Sequence, residues 1–133
     1  MTPPLPLIEK AVIAYLRAQP SLVGRKIGTD KPTPLDRTTL PFVQVLSPPG
    51  GTQTQVDSLP RIDVEVLHTD RGAMWELTAE VHNAMASAGG RLVGGRLVDK
   101  VTVIQLPGFV AWSPAVPRTI AVYEFVMRSA MPT

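Results

Sequence analysis

The chemistry open to this chain is limited by its inventory: 133 residues carry 2 histidines and no cysteine, so thiolate nucleophiles, disulfides and cysteine-bound metals are absent. The imidazoles are His68 and His82. His68 stands near Asp63, Glu65 and Asp70, a donor set that can hold a metal. Strand geometry speaks against that use, because Asp63, Glu65 and Leu67 alternate to one face while His68 shares the parity of Ile62. A capping or partly buried structural role fits His68 better. His82 sits beside the apolar stripe of a helix with Glu76 and Glu80 nearby in sequence, which reads as a solvated helix face. Gly89-Gly90 and Gly94-Gly95, followed by Arg91 and Arg96, suggest phosphate binding, but a phosphate loop opens a helix with Gly-Lys-Ser or Gly-Lys-Thr and these glycines precede a strand. Ser47, Ser58 and Ser113 sit in no Gly-x-Ser-x-Gly elbow. We therefore expect no catalytic, cofactor-binding or metal-ligating residue, no cofactor, and no enzyme.

What remains is chemistry of contact. Trp112 lies in a connection bracketed by Pro107 and Pro117, where an aromatic either plugs the end of the core or anchors a partner. Arg118, next in the chain, could brace that connection, form an ion pair with another subunit, or be solvated. With Gln53 and Gln55 in the polar loop from Ser47 to Ser58, and Tyr123 in the last strand, these are the candidate interface residues.

The elements that must position them follow from periodicity. Ile62, Val64 and Val66 alternate with Arg61, Asp63 and Glu65, which reads as a strand with one buried and one polar face. That strand turns at Thr69–Gly72 into a helix whose Met74, Leu77, Val81 and Met85 share a face, with Asp70 as N-cap and Gly89-Gly90 as stop. Leu7, Ile8, Ala11, Val12, Tyr15 and Leu16 mark an earlier helix ending near Pro20. Further strands are predicted over Pro41–Leu46, Leu97–Leu106 and Arg118–Met131, and Leu22 or Val23 to Gly28 could form a short one in a region that is mostly loop. The last is apolar on both faces, so it is either central in the sheet or covered by another subunit. The duplicated Gly-Gly-Arg-Leu-Val reads as a flexible connection entering a strand. The expected fold is α+β: a single domain over residues 1–133, with a mixed, largely antiparallel sheet of about four strands and two helices on one face.

Composition narrows the class. The formal net charge is +2 and charged residues make up 18%, below the roughly 25% of typical soluble domains; low charge suits a surface buried against partners. Lys and Arg are scattered, so no clustered basic patch implies strong nucleic-acid binding, although Arg25, Lys26, Lys31 and Arg37 could contact DNA without reading sequence. Met1 to Pro6 lacks the features of a signal peptide and no apolar run approaches the roughly 20 residues of a membrane span, so we expect a soluble chain with no membrane partner.

The order of pieces carries a resemblance. The segment Ala11–Leu16, then Leu40-Pro41-Phe42-Val43-Gln44-Val45, Gly50-Gly51, and Pro60–Val66 leading to Asp70-Arg71, resemble a phage tail terminator protein. Pro107-Gly108, Trp112-Ser113-Pro114 and Pro117-Arg118 opening a strand that reaches Arg128 are similar to the C-terminal half of such proteins from long-tailed phages of actinobacteria. The resemblance implies a small non-catalytic protein that assembles with itself, often as a hexameric ring, on the last ring of the tail tube protein. There it stops tube growth and presents a surface to the head connector. It also implies a place in the virion, with assembly in the host cytoplasm, and contact with DNA only by its passage through the ring lumen. In such a ring the loop from Ser47 to Ser58 would lie at an edge or lumen and order on contact. Another head-tail connector or minor tail component, or a small ligand- or nucleic-acid-binding domain, are the alternatives.

Overall fold

The computed structural model describes residues 8–49, 52–53 and 57–128. Its elements run α1 (Ile8–Arg17), a 3-10 turn (Pro20–Leu22), β1 (Ile27–Gly28), β2 (Phe42–Leu46), β3 (Thr52–Gln53), β4 (Asp57–Leu59), β5 (Arg61–Leu67), α2 (Arg71–Ala86), β6 (Leu92–Val93), β7 (Arg96–Phe109) and β8 (Arg118–Arg128). The described strands form an 8-stranded sheet in which β1, β2, β5 and β8 lie side by side, β4 and β3 continue from β8, and β7 pairs with both β8 and β6.

The expected sheet of about four strands is thereby corrected. The additional strands β1, β3, β4 and β6 are two or three residues long, too short to show a period of two. β3 and β4 arise inside the stretch read as a polar loop, where Thr52 pairs with Leu59 and Gln53 with Ser58. β6 arises from the glycine duplication, which is a tight hairpin and not a flexible connection: Leu92 opposes Leu97 and Val93 opposes Arg96, with both turn residues at positive φ (Gly94 +61°, Gly95 +77°). That conformation is cheap only for glycine.

Register explains the core. Ile62 opposes Tyr123, and Val64 opposes both Val45 and Ala121. Opposed residues in antiparallel strands share a face, so these residues form one apolar layer with Phe125 and Met127, against which Val12, Leu16, Met74, Leu77, Val81 and Met85 of the helices pack. Asp70 caps α2 by accepting from the Ala73 amide at 2.8 Å. Buried Thr78 of α2 and Thr119 of β8 share a hydroxyl hydrogen bond of 2.7 Å. β8 is apolar on both faces because it is central: β5 flanks it on one side and β7 on the other. Its composition therefore needs no neighbouring subunit.

The opposite face is divided. Leu40, Phe42, Leu67 and Val116 make a small second core supported by Leu35, and beyond it stand Gln44, Glu65 and Ile120, consecutive cross-strand neighbours on β2, β5 and β8.

Candidate functional site

The site is built from the second face upward. Glu65 on β5 projects opposite Ile120, one pleat from Arg118, which brings its carboxylate within 2.8 Å of Arg118 Nη1 and 3.5 Å of Lys31 Nζ. The three side chains are only 13–18% exposed, so the charges are partly desolvated and the ion pairs are stronger than surface ones. Lys31 also donates to Gln44 Oε1, while Gln44 Nε2 donates to the Thr29 carbonyl at 2.8 Å. Arg118 Nε donates to the Val110 carbonyl at 3.0 Å. Of the roles open to Arg118, the geometry shows bracing of the connection within its own chain.

Trp112 rides on this cluster. Lys31 Nζ lies 4.6 Å and Arg118 Cζ 5.2 Å from the centre of its ring, both within cation–π range, and its amide donates to the Val116 carbonyl at 3.0 Å. The side chain is nevertheless 48% exposed. It is held in place without being a core plug.

Two shallow clefts flank Ala115. One, of about 610 Å³, is floored by Leu35 and Val116 with Asp36, Arg37 and Thr38 on its wall; the other, of about 450 Å³, lies against Arg71 and Phe109. They carry no convergent acid and base. Asp36 accepts from the Thr38 amide and hydroxyl at 2.8 and 2.5 Å, and these bonds, the hydroxyl first, hold its carboxyl below the usual carboxylate range. Arg71 stacks on Phe109 with Cζ 3.9 Å from the ring centre. Among the described residues no three His, Cys, Asp or Glu side chains converge as a metal site requires, and no described helix is long and apolar enough to cross a membrane.

The histidines are engaged structurally. His68 Nδ1 accepts from the Thr69 and Asp70 amides at 2.9 and 3.1 Å, shaping the turn between β5 and α2. Partial burial, the largest cause, pushes its pKa below the ordinary 6.5; Arg25 adds to the shift and Asp70 opposes it. Folding thus favours the neutral ring, which alone can accept those bonds. Its contribution is present in full above about pH 6.5 and is lost as pH falls through the lower folded-state value. The urea midpoint of the wild type is expected to drop more than that of His68→Gln between pH 7 and pH 5; equal drops would contradict this role. His82 corrects its reading as a solvated residue: it is half-buried, with Nδ1 2.6 Å from the Tyr123 hydroxyl. Burial holds the Tyr123 phenol well above its usual 10, so it stays protonated, and the tautomer of the His82 ring sets which of the two groups donates.

The remaining candidate interface residues are dispersed. Tyr123 is 1% exposed and offers no surface to a partner. Gln53 belongs to β3, opposite Ser58, and Gln55 lies outside the described residues. Sequence reasoning brought Trp112 and Arg118 together but missed Glu65, Lys31 and Gln44, which meet them only through the β2–β5–β8 register. It also missed the exposed apolar residues Ile104, Leu106, Phe109 and Val110. The signal was present: from Val101 to Pro117 the chain holds no charged residue.

No protein-family model matches this chain, and no curated protein matches it. Among solved structures it is similar to a chain of the "virion of native gene transfer agent (GTA) particle", with a TM-score of 0.70 and 14% identity over 92% of this chain and 95% of that one.

Proposed function

We propose that this chain is a structural component of a phage-like virion. The observation that carries the reading is the likeness of 92% of the chain to a chain of a gene transfer agent virion particle. A shared fold does not by itself fix function. Here the site agrees with it, since its polar groups brace a loop and present an aromatic side chain, an arrangement suited to contact and not to bond-making.

Within that class we favour the tail terminator. The resemblance in the order of segments supports it: the protein would assemble as a ring, often a hexamer, on the end of the tail tube, stop its growth and meet the head connector. The test is the mass of the purified protein across a concentration series, with and without matched tail tubes, by light scattering and negative-stain microscopy. Rings seated on tube ends are expected; a protein that never orders on tubes would remove the reading.

Trp112 is the anchor in this account. Trp112→Ala should weaken capping by tenfold or more, the range of an interface hot spot, while lowering monomer stability by only about 1 kcal/mol, because the side chain is already half exposed. A large stability loss with unchanged capping would assign Trp112 to the fold instead.

A further inference from the structure

Folding gathers cations that the sequence scatters. The two clefts beside Ala115 share Thr69 and Ala115 in their linings, so they meet there and make one open groove. Its lining is largely apolar: Leu35 and Val116 at one end, Phe109, Pro114 and Pro117 at the other. Its rim is basic. Arg37 lines the first cleft and Arg71 the second. Lys26 Nζ donates to the Thr38 and Thr39 carbonyls at 3.2 and 3.4 Å, and the charge of Arg25 bears on His68, next to Thr69.

These cations lack counter-charges of their own. Among the described residues the ion pairs are Lys31–Glu65, Arg118–Glu65 and Arg128–Asp99, none of which involves Arg25, Lys26, Arg37 or Arg71. The acids at the groove, Asp36 and Asp70, are turned to their own backbone, accepting from the Thr38 and Ala73 amides. Arg71 is the most exactingly placed of the cations. Its guanidinium lies against the Phe109 ring, with Cζ 3.9 Å from the ring centre. Stacking occupies the face of the guanidinium plane and leaves the N–H donors along its edge. Among the described residues no hydrogen bond or ion pair engages those donors. A guanidinium fixed by a ring and open along its edge suits a carboxylate, which it binds through two parallel N–H···O bonds.

We infer that this groove docks an extended acidic segment of a partner protein, with carboxylates on Arg71 and Arg37 and apolar side chains against Val116 and Phe109. Charge complementarity selects the occupant: an apolar channel rimmed by unpaired cations attracts a chain that alternates acid and apolar residue. This chain's own alternation of that kind, Ile62 to Val66, is locked in β5 between β2 and β8, so the segment comes from another protein. Duplex DNA is the poorer fit, because its phosphates gain nothing from an apolar lining. The clefts, of about 610 and 450 Å³, fall within the roughly 300–1,000 Å³ of ligand sites. Both are shallow, so affinity rests on charge and weakens with salt. The inference goes beyond the virion reading and does not rest on it.

The probe is a short fluorescein-labelled peptide of alternating glutamate and leucine, compared with its glutamine–leucine counterpart and with a DNA duplex. In fluorescence anisotropy at low salt the acidic peptide should bind at least tenfold more tightly than the glutamine peptide. Arg71→Ala and Arg37→Ala should each weaken it by tenfold or more, whereas Arg91→Ala, at an exposed arginine outside the groove, should leave it unchanged. Ala115→Glu and Ala115→Gln add the same bulk where the clefts meet, so the glutamate variant should bind at least tenfold more weakly than the glutamine one. That pair keeps the test decisive if an arginine variant fails to fold. Equal binding of the two peptides, binding of neither, or an equal loss in Arg91→Ala overturns the inference. Displacement of the peptide by lower concentrations of duplex DNA, with the same variants losing the duplex, assigns the groove to nucleic acid and overturns it too. Capping of tail tubes is scored separately: a protein that binds the acidic peptide but never caps tubes counts against the virion reading alone, and one that caps tubes but binds no acidic peptide counts against the groove alone.

Discussion

Glu65→Ala is expected to lower the unfolding free energy by about 2–3 kcal/mol and to release the connection that carries Trp112. The carboxylate accepts from Arg118 at 2.8 Å and lies 3.5 Å from Lys31, with all three side chains largely out of water. Removing it leaves two half-buried cations without their counter-charge, and stranding a partner usually costs more than the pair itself contributes. Both cations also rest against the Trp112 ring, and Arg118 holds the Val110 carbonyl. The loss should therefore travel from β5 to the loop through Lys31 and Arg118. Urea denaturation measures the first effect, and Trp112 emission in a Trp75→Phe background measures the second. A stability change under about 0.5 kcal/mol would place the pair among surface ion pairs and detach the loop from the sheet. Glu65→Gln, which can still accept a hydrogen bond, should fall between wild type and alanine.

Gly94→Ala should be more damaging still, by about 2–4 kcal/mol. A Cβ there would sit 2.6 Å from Ala11 Cβ on α1, and the residue holds φ at +61°. A non-glycine residue pays roughly 1–2 kcal/mol for that backbone conformation, and driving α1 off the hairpin adds strain of about 1–3 kcal/mol. Gly95 isolates the backbone part: its φ is +77° but nothing lies within 4 Å of the added carbon. Gly95→Ala is thus expected to cost only about 1–2 kcal/mol, and Ala11→Gly should recover part of the Gly94→Ala loss. Equal costs at the two glycines, or no rescue, would show that α1 does not bear on this turn.

These two positions also mark what could be read from sequence. Long periodic segments were legible: the alternation of β5, the stripes of α1 and α2 and the Asp70 cap follow from residue types alone. Gly94 was visible as a turn residue but not as the seat of α1, because close approach between α1 and a hairpin more than eighty residues on leaves no local pattern. The strands β3, β4 and β6 are set by partners already in place and not by their own propensity, and β1 shows in the sequence only as a stretch that could be extended, so the sheet is undercounted. At the site, Arg118 and Trp112 announced themselves by position, while Glu65 looked like one more outward strand residue. Its meaning depends on register, which pairs Leu67 with Arg118 and brings Glu65 one pleat away. The doubly apolar β8 illustrates the converse, a true pattern with two causes, of which central placement in the sheet is the one found.

The central claim is that the chain is a structural part of a phage-like virion, proposed to be its tail terminator. It is tested most directly by measuring tail-tube lengths in particles assembled with and without this chain. The account expects tubes of uniform, head-joined length when the protein is present, and overlong, headless tubes when it is absent, restored by adding the wild type but poorly by Trp112→Ala. Identical length distributions and identical head attachment in its absence would contradict it.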